Sequence, residues 1–157
     1  MFGLTTLGIF HTAISLLAVI AGLHALWRWQ AIDTRKTGGK VYLVTTVISC
    51  LTGLGIFAHG GFGKPHALAL ITLVVLAVAV LAQSSSVFGR FSRRVEVLSY
   101  SLSFFFHLIP GITETSTRLP LGHPLLNSPE APALKALFGL LFIVFLACAI
   151  WQARRTK

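Results

Sequence analysis

Apolar runs alternate with short polar or glycine-rich segments along the chain, and each run predicts a helix. The predicted helices cover about 4–29, 41–58, 65–82, 95–110 and 133–152. Polar residues inside these runs recur at helical spacing. In the first helix, Gly8, His11, Ser15, Ala18, Gly22 and Ala25 share one stripe, small except for His11. Small stripes let helix backbones approach closely in lipid, so His11 is expected to face the bundle. In the second helix Thr45, Ser49, Thr52 and His59 share a face; in the fourth, Glu96, Tyr100, Ser103 and His107 do. After His66 the third helix is apolar apart from Thr72, and the fifth has no polar stripe. The fold class is therefore an all-α integral membrane bundle of five transmembrane helices, with a four-helix core and a peripheral C-terminal helix. It forms a single domain over 1–157.

The connecting segments carry the turn residues. Gln30 to Lys40 holds Gly38-Gly39 as a turn, and Gly60 to Lys64 forms a glycine-rich hinge after which Pro65 opens the third helix. Gln83 to Arg94 is polar and basic. Pro110-Gly111 is expected to break the fourth helix, leaving 111–132 as a cap loop. Sixteen residues rise only about 24 Å against a hydrocarbon core of roughly 30 Å. The fourth helix is therefore expected to be tilted, extended by its flanking arginines, or re-entrant.

Composition supports the membrane class: 55% of residues are hydrophobic and 11% charged. The net charge of +9 does not indicate nucleic acid, since the cations form short clusters between apolar runs and no continuous stripe. Ten of the 13 Lys and Arg residues fall on one side of a five-span layout, with all three tryptophans. By the positive-inside rule that side is cytoplasmic. The expected location is the bacterial inner (plasma) membrane, multi-pass, with the N-terminus periplasmic and the C-terminus cytoplasmic. Arg28, Arg35 and Lys36 follow the first run, which reads as a retained helix and not a cleaved leader. Cys50 and Cys148 lie inside apolar runs and imply no disulfide framework.

This layout puts His11, His59, His66, His107 and His123 towards the outer face and only His24 near the inner one. Imidazoles from facing helices suit haem iron, zinc or copper. His11 and His107, helped by His59 or His66, are the candidate ligands of a haem b with a redox or electron-transfer role. His24 lies about 220° around the helix from His11, which disfavours a second, stacked haem. A transition-metal site (Zn, Cu or Fe) on His11, His59, His66, His107 and Glu114 is the nearest alternative. A quinone or lipid pocket with Tyr100, Ser103, His107 and Arg118 as polar contacts is another. The last is a non-enzymatic accessory or transport-related subunit. Besides the bilayer, a quinone or a redox partner protein is the expected partner. No nucleophile elbow, phosphate loop or paired catalytic carboxylates occur, so no catalytic residue is assigned.

His11, the Gly39-Lys-Val-Tyr42 entry to the second helix, Arg93-Arg94, Tyr100 and Arg118 carry a resemblance. They resemble a family of uncharacterised predicted bacterial membrane proteins with a histidine in the first helix and a Gly-x-x-Tyr entry to the second. That family is loosely similar in layout to b-type cytochrome membrane bundles. Thr37-Gly38 stand here where the family carries a His-Arg pair. The resemblance implies a bacterial inner-membrane location and leaves the activity open.

Overall fold

The computed structural model describes residues 5–57 and 61–156. Among them there are five α-helices and no strand: α1 Thr6–Trp29, α2 Thr37–Leu54, α3 Lys64–Ser84, α4 Ser92–Arg118 and α5 Pro132–Arg155. A short 3-10 turn, Gly89–Phe91, leads into α4. Four of the helices are long and apolar enough to cross a membrane: α1, α3, α4 with its leading turn, and α5. The expected set of five becomes four by this measure, because α2 falls short. Lys40, three glycines and the hydroxyls of Thr45, Thr46, Ser49 and Thr52 dilute its apolar character.

Those hydroxyls are turned inward. Side-chain pairs run His11 with Thr52 and Ser15 with Ser49, and at Gly22 α1 comes against the ring of Tyr42. The partners ascend in α1 as they descend in α2, so the two helices lie antiparallel along nearly their full length. The predicted stripe on α1 is the buried one, with Gly8, Ala18, Gly22 and Ala25 covered. α2 also packs on α3, α3 on α4, and α4 touches α1, which closes a four-helix core. α5 packs along α4 alone and is peripheral, as its lack of a polar stripe implies.

Three boundaries differ from the sequence expectation. α2 begins at Thr37, so Gly38-Gly39 form its first turn. A Cβ at Gly39 would lie 2.1 Å from the Asp33 carbonyl oxygen; glycine is what lets the Asp33–Lys36 turn fold onto the helix start. α2 ends at Leu54, short of the expected 58. α4 does not stop at Pro110 but continues two turns to Arg118. Beyond the proline, Thr113, Thr115 and Thr117 each donate their hydroxyl to the carbonyl four residues back. Glu114 pairs with Arg118 across the last turn. Pro110 removes a single N–H from the helical ladder, and the helix runs on through it. At 27 residues α4 rises about 40 Å, so it needs neither re-entry nor thinning. The remaining loop, 119–131, folds back so that Leu126 N–H donates to the Ser116 carbonyl.

Candidate functional site

At the end of the bundle where α2 finishes, His11 projects from α1 onto α2. Its Nδ1 is 3.0 Å from Thr52 Oγ1. Thr52 Oγ1 itself donates to the Ile48 carbonyl at 2.8 Å, so its oxygen accepts from the histidine. The network therefore assigns the Nδ1–H tautomer and leaves the lone pair on Nε2. One turn along, Ser15 donates to the His11 carbonyl and meets Ser49 at 2.6 Å. Gly53 faces the ring: a Cβ there would stand 3.2 Å from His11 Cε1.

His107 turns inward from α4 beside Tyr42. It is 9% exposed, with its ring centroid 6.5 Å from that of Tyr42. Tyr42 pairs its hydroxyl with Ser103 Oγ at 2.8 Å, and Ser103 donates to the Tyr100 carbonyl. All four residues of the predicted α4 face, Glu96, Tyr100, Ser103 and His107, are buried. They line a polar seam between α1, α2 and α4.

The other predicted site residues separate. His66 sits at the start of α3, stacked on Phe57 (centroids 4.9 Å) and beside Phe62. Its Nδ1 accepts the Gly63 N–H at 3.2 Å, so it caps its own helix. His59 lies outside the described residues. Glu114 is exposed and engaged with Arg118; His123 is on the exposed loop. His24 is also exposed, edge-on to Trp29. Among the described residues no three His, Cys, Asp or Glu side chains lie together as a metal-ligand group. The quinone set does not share a pocket either: Tyr100 and Arg118 are 18 residues apart on one helix, about 27 Å.

The opposite, basic end holds a constellation that the sequence reading took only as topology anchors. Glu96 is 1% exposed, with Arg35 Nη1 2.9 Å and Arg93 Nη1 2.8 Å from its Oε1. Asp33 joins both arginines, at 3.2 Å to Arg35 and 3.1 Å to Arg93. Burial works to raise the Asp33 carboxyl. The Arg35 backbone N–H and the charges of Arg93 and Arg35 outweigh it, holding the group below its ordinary value. Arg35 is in turn held above its ordinary value, chiefly by its bond to Glu96. The one sequence signal was Glu96 itself, an acid on a buried stripe that needed a cation. Gln152 of α5 was also missed. It is buried, donates to the Gln30 carbonyl at 2.8 Å and accepts from Ser101 Oγ at 2.9 Å.

No protein-family model, curated protein or solved structure matches the chain.

Proposed function

We propose that the chain is a bacterial inner-membrane protein that binds one haem b at its histidine end and passes electrons through it. The observation that carries this reading is that α1 and α4 each turn a histidine inward, His11 held by Thr52 and His107 buried. Two imidazoles suffice for a haem, whose porphyrin supplies the other four donors. A zinc or copper site wants three or four protein ligands, and the described residues do not gather them. A haem held by two imidazoles supplies a one-electron iron couple. Thr52 fixes the orientation of the His11 ring, as a ligand histidine requires. Tyr42, tied to Ser103, walls the His107 ring.

The topology belongs to the same proposal. α2 is coextensive with α1 through the His11–Thr52 and Ser15–Ser49 pairs, so it crosses wherever α1 does. Its polar groups are satisfied inside the bundle. Five crossings with the N-terminus periplasmic put the basic end in the cytoplasm.

Detergent-purified protein from haem-supplemented cells should show a Soret band. That band should be lost in His11→Ala and in His107→Ala and kept in His24→Ala. A colourless preparation overturns the reading and leaves an accessory or transport-related subunit in its place.

A further inference from the structure

Where α1 and α5 finish and α4 begins, they enclose a cleft of about 220 Å³ lined by Trp29, Gln30, Arg93, Trp151, Gln152 and Arg155, among others. Its charged lining residues are both arginines. Arg155 gives Nη1 to Gln30 Oε1 at 2.8 Å and lies over the Trp151 ring, 4.3 Å from its centroid. Arg93 gives Nη2 to Asp33, while its Nη1 lies near Glu96 but out of hydrogen-bonding line with it. A guanidinium carries five N–H donors, so each keeps donors to spare. The Gln152 amide, by contrast, is used on both sides, by Gln30 and Ser101. What the cleft has left to offer is positive charge and N–H groups, in a lining that includes Trp29 and Trp151.

We propose that this cleft seats the phosphodiester headgroup of an anionic phospholipid. The level is right: three helix ends meet there, and tryptophan with arginine is the pairing found at a bilayer's polar boundary. The sign is right too, since basic pockets between membrane helices take anionic headgroups. Among the described residues the lining holds no carboxylate to receive the amine of a choline or ethanolamine head. Below the cleft, α5 exposes Leu140, Ile143 and Ile150, a track along which an acyl chain can lie.

The test is native mass spectrometry of the full chain in detergent, titrated with phosphatidylglycerol or with phosphatidylcholine of the same acyl chains. Phosphatidylglycerol is expected to bind about fivefold tighter or more, and Arg155→Gln to lower that affinity about fivefold, leaving phosphatidylcholine unchanged. Arg155→Lys, which keeps the charge, should retain most of the preference. Arg118→Gln, a cation at the other end, should change nothing. Equal affinity for the two lipids, or an undiminished preference in Arg155→Gln, overturns the proposal. Displacement of phosphatidylglycerol by millimolar inorganic phosphate would replace the lipid with a free anion as occupant. The readout needs no haem, so it stands or falls apart from the histidine site.

Discussion

Glu96 lies on α4 with 1% of its surface exposed, and two guanidiniums from different segments converge on it. Removing one side of a buried ion pair leaves uncompensated charge, a cost of about 3–5 kcal/mol when both groups are fully buried. Arg35 and Arg93 keep part of their surface in solvent, so Glu96→Gln is expected to cost about 2 kcal/mol. The unfolding midpoint in micelles checks this; an unchanged midpoint would show that the cluster contributes nothing. Asp33 adds a pH dependence. Its folded value is depressed from the ordinary 3.8, so its contribution is full above that value and fades as pH falls below it through the depressed one. Stability should therefore drop on acidification below about pH 4, and Asp33→Asn should flatten part of that slope. An identical slope in the variant would remove Asp33 from the account.

Among the elements, the contact of α1 and α2 with α4 is the one drawn tightest. A Cβ at Gly22 would lie 2.6 Å from Phe104 Cδ2 and 2.9 Å from Tyr42 Cδ2, and neither ring is free to turn away. Overpacking of this kind typically costs about 1–3 kcal/mol, and Gly22→Ala should lose that much. Gly111 in α4 has nothing within 4 Å of its missing Cβ. Gly111→Ala should be neutral or gain up to about 1 kcal/mol of helix propensity. Melting the two variants side by side decides it: equal effects would mean that packing at Gly22 is looser than the distances state. The Gly22 stripe was legible because period and residue size coincide. The continuation of α4 past Pro110 was not. A proline's local cost is visible in the chain, whereas the Glu114–Arg118 pair and the fold-back of Leu126 onto Ser116, which hold the helix beyond it, appear only once the helix exists.

At the scale of the molecule, charge is sorted to one end. Arg28, Arg35, Lys36, Lys40 and the later arginines stand against Asp33 and Glu96 there. At the histidine end Lys64 and Lys135 are paired with Glu130, and Arg118 with Glu114. Translocation disfavours the end with the larger number of Lys and Arg residues. A green fluorescent protein fused after the C-terminus should therefore fluoresce, and alkaline phosphatase fused after Gly122 should be active. An inactive phosphatase there would reverse or reduce the proposed topology.

The one-dimensional pattern determined the helical class, the inward stripes and the sorting of charge, because burial in an apolar medium acts on period, size and charge, which the chain carries locally. Only the tertiary structure decided that His11 meets Thr52. The same holds for Asp33, Arg35, Arg93 and Glu96, which form one cluster. Those outcomes depend on the rotation and register of helices against one another, set by contacts between residues 41 to 61 positions apart.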